Sequence, residues 1–224
     1  MHINADFEKL ATEHSAQMPW TPSPMQGVSR RMLDRIGDEV ARASSIVRYE
    51  AGSEFSSHTH SGGEEFLVLS GVFQDEHGDY PQGTYVRNPI NTSHTPASIE
   101  GCEIFVKLWQ FHQHESEILR IDTDTLQLKP GKQSSVKSSV LYKDEFETVT
   151  VESFDPDSSV KLLHPGGIEI LVLAGSFLCN GDNFTQHSWM RIPKSHALTL
   201  TTSTLGARVW VKTGHLDHIR QPQQ

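Results

Sequence analysis

The sequence predicts an all-β protein made of two tandem domains, with a short helical extension at the N-terminus. Three observations lead there. Most of the chain alternates apolar and polar residues over short runs such as SSIVRY, EEFLVL, GTYVR, EIFVKLWQF, VTVESF, IEILVL and ARVWVK, each bounded by Gly, Pro, Asn or Asp. A period of two is that of a half-buried strand, and the bounding residues are turn formers. Helical spacing occurs only near the start, where Phe7, Leu10, Ala11 and His14 fall on one face of a short helix capped by Asn4. The third observation is repetition: HSGGEEFLVLSGVF at 60–73 returns as HPGGIEILVLAGSF at 164–177, 104 residues later.

At the same offset Tyr85-Val86-Arg87-Asn88-Pro89 corresponds to Trp189-Met190-Arg191-Ile192-Pro193, and one residue further, at 105, GCEIFVK at 101–107 corresponds to GARVWVK at 206–212. Shared order at a near-constant offset makes each half one β domain. The chain therefore divides into an N-terminal extension, 1–27, a first domain, 28–115, a linker, 116–135, a second domain, 136–217, and a tail, 218–224. Three prolines between Pro19 and Pro24 keep the end of the extension irregular, and Pro130-Gly131 marks the end of the polar linker.

Composition limits the function. There are 28 acidic residues against 19 Lys and Arg, a formal net charge of −9, and no basic run, which argues against a nucleic-acid partner. No apolar run reaches the length of a membrane span, and MHINADFEKL has neither the basic region nor the apolar core of a secretion signal. The expected location is the cytoplasm. Two cysteines, Cys102 and Cys179, exclude a disulfide framework or a Cys-rich zinc module. The distinctive residue is histidine, with 13 copies, several of them between His58 and His114.

His58 and His60 are separated by one residue, so on a strand both point to one face, within reach of a single ion. Glu64 follows, and His94 comes behind a Pro89 turn. Three imidazoles and a carboxylate form a borderline nitrogen and oxygen site suited to Zn, Fe, Mn, Ni or Cu. Glu65 is the competing carboxylate. Adjacent strand residues face opposite ways, so only one of the pair can ligate, and the spacing to Gly71 favours Glu64.

These residues resemble the cupin superfamily. Gly52, His58, His60, Glu64 and Gly71 keep every spacing of its first motif. Gly83, Pro89 and His94 keep the second, with Asn91 in place of its glycine and Ser98 in place of its asparagine. Asn tolerates a left-handed turn, so the first departure is mild. More narrowly, GGEEFLVLSGVFQDEHGDYPQGTYVRNP followed by GCEIFVKL is similar to ChrR-type cupins, and the two-domain arrangement to bicupins of that group. The resemblance implies two small jelly-roll barrels and a single divalent transition metal in the first, held by His58, His60, Glu64 and His94. Zinc comes first among the candidates, with iron, manganese and nickel behind it.

The repeat serves as an internal control, since positions kept in both halves serve the fold. Gly71/Gly175, Arg87/Arg191, Pro89/Pro193 and Lys107/Lys212 recur. The metal positions do not: His58 becomes Leu162, Glu64 becomes Ile168, and only His60 persists as His164. The second domain is thus read as having exchanged ligands for core, with His164, His196 and Glu169 as an incomplete alternative site. His77 reads as a hairpin-turn residue, His112 and His114 as a polar strand end, and Cys102 as a small buried hydrophobe. Phe66, Phe73, Tyr85, Phe105 and Trp109 read as core.

Two functions fit this reading, and no catalytic residue is assigned in either. The ChrR resemblance implies a regulatory or sensing protein. In that family a zinc-binding cupin acts beside an N-terminal zinc domain that holds a sigma factor. Residues 1–27 are too short for that domain and contain no cysteine, so an anti-sigma role in transcription regulation would need a separate protein partner. The alternative is a metal-dependent dioxygenase acting on a small diketone or phenolic ketone. Either way the partners are a small-molecule ligand or another protein rather than nucleic acid or membrane. A homodimer is compatible with the sequence, although two cupins in one chain lessen the need for one.

Overall fold

The computed structural model describes residues 1–222. The chain runs through β1 (His2–Ile3), β2 (Ala11–His14), a 3-10 turn (Ser15–Gln17), β3 (Thr21–Pro22), β4 (Val28–Gly37), β5 (Ala41–Tyr49), β6 (Ser53–Glu54), β7 (His58–Thr59), β8 (Glu64–Asp75), β9 (Gly78–Pro81), β10 (Thr84–Asn88), β11 (Ser93–His94), β12 (Ala97–Ser98), β13 (Cys102–Leu108) and β14 (Leu119–Asp122). It continues through β15 (Lys129–Pro130), β16 (Val136–Lys143), β17 (Thr148–Phe154), β18 (Ser159–Leu162), β19 (Ile168–Cys179), β20 (Asp182–Phe184), β21 (Ser188–Ile192) and β22 (Leu198–Thr213) to a final 3-10 turn (His215–Asp217). The fold is all-β, as the alternating pattern predicts.

Two compact units result. The first holds Met1–Ala5, Pro19–Asp124 and the residues from Arg220; the second holds Asp6–Met18 and Thr125–Ile219. In the first, the strands run β1-β4-β5-β13-β8-β10-β14 in one sheet. Strand β8 bends, so that Glu64–Ser70 pair with β13 while Val72–Asp75 pair with β9. β12 joins β6 and the far half of β8, and β11 pairs with β7. One long strand serving both layers closes a jelly-roll barrel around Val28, Tyr49, Phe66, Phe73, Tyr80, Val86 and Ile104. The second unit orders β15-β16-β17-β22-β19-β21-β2 and encloses an apolar core of its own.

The bend in β8 requires glycine. Gly71 has φ +70, and a Cβ there would lie 2.1 Å from the Gly101 carbonyl oxygen. Gly175 repeats this in the second unit, with φ +72 and the Gly206 oxygen at 2.1 Å. The recurring glycine pair is thus a close-approach position in both barrels.

The predicted N-terminal helix does not form. Ala11–His14 are a strand paired with Ser188–Arg191 of β21, and Asn4, at φ 45, gives its side-chain N–H to the Leu33 carbonyl instead of capping a helix. Phe7 and Ala11 are buried, but Leu10, on the same predicted face, is exposed. The edge of β21 has backbone donors and acceptors to satisfy, and that need overrides a weak helical pattern. The first unit meets the same need with β14 on the edge of β10. The parallel extends to side chains: Phe7 lies under the Arg191 guanidinium at 4.2 Å, as Phe111 lies under Arg87 at 4.2 Å.

No helix among the described residues is long and apolar enough to cross a membrane. We expect Gly71→Ala to cost about 3 kcal/mol, because left-handed strain adds to a backbone clash. Gly52→Ala, where φ is +78 but nothing lies within 4 Å, should cost only about 1 kcal/mol. Urea unfolding of the two variants checks the order; equal losses would contradict the account of the bend.

Candidate metal centre

Four side chains from three strands and a turn meet inside the first barrel. β7 supplies His58, the turn after it His60, the start of β8 Glu64 and β11 His94. His58 and His94 are direct cross-strand partners, which brings their rings to 5.0 Å between centroids. His60 lies 5.1 Å from His58 and 4.6 Å from His94. One donor atom from each of the four residues falls within 4.8 Å of all the others, so the group can hold a metal ion. The Pro89 turn that delivers His94 passes through Asn91 at φ 71, the left-handed conformation expected of a glycine substitute.

Each imidazole is oriented through its Nδ1. That of His58 lies 3.1 Å from the Ser56 carbonyl, that of His60 2.9 Å from the Thr92 hydroxyl, and that of His94 3.1 Å from Asp75 Oδ2. The Nε2 atoms are left for other work. Those of His60 and His94 are buried and have no hydrogen-bond partner, while Glu64 Oε2 stands 3.4 and 3.5 Å from them. Four donors placed tetrahedrally at the usual ~2.1 Å from an ion lie about 3.4 Å apart. Spacing, orphaned nitrogens and donor chemistry all fit a divalent transition metal.

The two carboxylates have separate tasks. Glu64 faces the imidazoles and accepts from Asn88 Nδ2 at 3.1 Å; Arg120 in turn donates to Asn88 Oδ1 at 2.7 Å. Glu65 faces the other way, where it accepts from the Tyr85 hydroxyl at 2.6 Å and Arg87 Nη1 at 2.7 Å. Strand alternation thus separates the ligand candidate from a structural ion pair. His77 is exposed in the β8–β9 turn, and its amide donates to Asp75 Oδ1. His112 and His114 lie outside the cluster. Cys102 is buried, and burial pushes its thiol up to about 11, which keeps it protonated.

Asp75, Thr92 and Asn88 escape a reading of the sequence alone. Asp75 sits in DEHGD and reads as a turn residue, yet its side chain orients the candidate ligand His94. The repeat holds the missing signal: 104 residues on, Asp75 is replaced by Cys179 and Asn88 by Ile192. In the second unit Leu162 pairs with Leu198 where His58 pairs with His94, and Ile168 stands where Glu64 does. All three belong to the apolar core. His196 is exposed, and Glu169 bonds Trp189 Nε1 at 2.8 Å with His215 at 3.3 Å. The alternative trio His164, His196 and Glu169 does not come together among the described residues.

Residues 8–112 match the family model of the ChrR cupin-like domain. Over those residues the chain is similar to a ChrR cupin-like domain. Solved structures similar to the chain are cupin-fold proteins at low identity. One is a candidate dioxygenase of Nostoc punctiforme, 14% identical with a TM-score of 0.73, aligned over 100% of this chain and 86% of that one. Another is the Escherichia coli pirin YhhW with nickel(II), at 13% and 0.66 over 92% and 98%. A third is the Lactobacillus farciminis oxalate decarboxylase formate complex, at 10% and 0.60 over 95% and 88%. At these identities the likeness is one of fold. No curated protein sequence matches the chain.

The electrostatics of the cupin site make its histidines unequal. Burial lowers the pKa of His60, and neighbouring His94 and His58 add to this. Burial also acts on His94, but the hydrogen bond and charge of Asp75, with the charge of Glu64, outweigh it and raise its pKa above the ordinary value. Asp75 is itself held below the carboxylate range, because hydrogen bonds from His94, the His77 amide and Tyr80 outweigh its burial. It is therefore charged and keeps a proton on His94 Nδ1, which presents the Nε2 lone pair inward.

Two outcomes follow for metal content, measured by elemental analysis after equilibrium dialysis. Asp75→Asn should weaken metal binding about 10-fold to 100-fold with the four ligands intact. Since only neutral imidazole ligates, metal should also be released as pH falls, with His94, whose pKa is raised, protonating before His60. A metal content independent of pH between 8 and 5 would contradict a site built on these histidines.

Proposed function

We propose that this chain is a metal-binding bicupin of the ChrR type whose first domain holds one divalent transition metal through His58, His60, Glu64 and His94, and that it works as a regulatory or sensing protein. The observation that carries the metal is the pair of buried Nε2 atoms, of His60 and His94, that have no hydrogen-bond partner and converge on Glu64. Buried polar atoms are rarely left unpaired without cause. Zinc leads because it takes three imidazoles and a carboxylate as donors; iron, manganese and nickel accept the same donors. The regulatory role draws on the family match over residues 8–112, with a separate protein as the partner and the cytoplasm as the setting.

A metal held by these four residues would supply a Lewis acid. The protein's own residues do the rest: Asp75, Thr92 and the Ser56 carbonyl fix the imidazole tautomers, and Asn88 orients Glu64. The second unit has an apolar core where the first has the candidate ligands, so the described residues offer one such centre.

A second reading is a metal-dependent dioxygenase acting on a small diketone or phenolic ketone. It is favoured by a specific feature: His58 is only half-buried, and the Phe55 ring lies edge-on to it at 5.3 Å, an apolar neighbour suited to a small organic molecule.

Elemental analysis of protein purified without added metal should find about one zinc per chain, and His58→Ala/His94→Ala should lose it. Retention of stoichiometric metal by the double variant would overturn the site. Iron-loaded protein should consume no oxygen with 2,4-pentanedione or a 2-hydroxyacetophenone. Sustained oxygen uptake that depends on the iron would replace the regulatory reading with the enzymatic one.

A further inference from the structure

Trp109 follows β13 with φ +61, in the left-handed region. Seven non-glycine residues among those described have a positive φ, and four of them are Asn or Asp, which tolerate it. A tryptophan there is strained, because its Cβ crowds the backbone. The repeat shows what the chain uses when no side chain is needed: the counterpart 105 residues on is Gly214, with φ +89. The backbone does the same work in both units. The Trp109 amide donates to the Gly63 carbonyl at 3.2 Å, and the Gly214 amide donates to the Gly167 carbonyl at 3.2 Å. The strained residue is therefore kept for its side chain.

Core packing does not account for that side chain. Trp109, which reads as core in the sequence, is half-buried and borders a cavity of about 900 Å³. What its indole covers is Gly62. A Cβ built on Gly62 would meet Trp109 Cδ2 at 2.2 Å, Cγ at 2.4 Å and Cε3 at 2.6 Å, so the ring lies against the backbone there. Gly62 stands midway between His60 and Glu64, two of the four candidate ligands. Two adjacent glycines, Gly62 and Gly63, make that turn the most conformationally free part of the site, so its shape has to be fixed from outside. Phe111 covers Gly63, as Leu216 covers Gly167 in the second unit. The first glycine differs: a Cβ on Gly166 would meet Asp217 and Gly214, with no ring among its nearest neighbours. The indole is present where the turn joins two candidate ligands, and glycine replaces it where the turn joins His164 to Ile168.

We propose that Trp109 is a positioning residue of the metal centre: its indole, held at a strained backbone position, pins the Gly62-Gly63 turn and so fixes His60 relative to Glu64 before an ion arrives. The inference rests on the metal-binding reading above and adds to it the residue that pre-organises two of the ligands. Ligands already in place need not be ordered at the moment of binding, so the strain held in the free protein is returned as metal affinity. Neither the sensing nor the enzymatic role is presupposed, because both need the metal held.

The test uses full-length protein stripped of metal and titrated with cobalt(II), whose visible absorption reports binding, together with melting of the metal-free protein. Trp109→Gly installs the residue of the second unit. It should bind cobalt about tenfold more weakly, the loss usual when support around a ligand is removed. The metal-free variant should nevertheless melt near the wild-type temperature, because glycine takes the left-handed conformation without strain and this offsets the lost contact. Trp109→Phe still lays a ring over Gly62 and should recover most of the cobalt affinity. Wild-type affinity in Trp109→Gly would overturn the proposal. So would a clearly lower metal-free melting temperature in that variant, which would make the indole a packing residue, or a Trp109→Phe variant as weak as Trp109→Gly. If wild type took up no cobalt, the metal reading itself would fail, and that result is separate from the others.

Discussion

Two imidazole nitrogens, His60 Nε2 and His94 Nε2, are buried beside a carboxylate and given no hydrogen bond, and the arrangement of the first barrel follows from placing them there. Each opposite nitrogen is tied to a fixed acceptor, so the rings cannot turn to satisfy themselves elsewhere. The strand pairing of His58 with His94 sets one ring separation, and Glu64 at the start of β8 sets the fourth corner. Without an ion these groups would sit at a cost in free energy, since desolvated polar atoms lose their water and gain nothing in return.

The second unit shows what the scaffold does when this requirement is lifted. It keeps the bend glycine, Gly175, and the buried Arg191, which lies over Phe7 as Arg87 lies over Phe111. At the ligand positions it has Leu162, Leu198 and Ile168, all in an apolar core. Apolar side chains there need no hydrogen bonds, so the barrel closes by packing alone. The contrast separates residues that build a cupin from residues that build a site, and it does so within one polypeptide.

Much of this was legible in the residues. The alternating runs and the repeat fix the fold class, and the spacing of His58, His60, Glu64 and His94 names the cluster before any coordinates. Strand alternation also decides between Glu64 and Glu65, because only one of two neighbours can face inward. The N-terminal segment was not legible: its helical spacing is real, but Ala11–His14 complete the edge of a sheet whose other strand lies some 180 residues away, and local pattern carries no trace of that demand. Asp75 and Asn88 were hidden for a related reason. Their role is to hold other side chains, and a residue type common in turns and strand ends does not announce what it will touch.

X-ray absorption at the metal edge of the protein as purified tests the central claim most directly. The account predicts scattering from three imidazole nitrogens and a carboxylate oxygen at about 2.0–2.2 Å, in one site per chain. A spectrum without imidazole scattering, or one dominated by thiolate sulfur at about 2.3 Å, would contradict it.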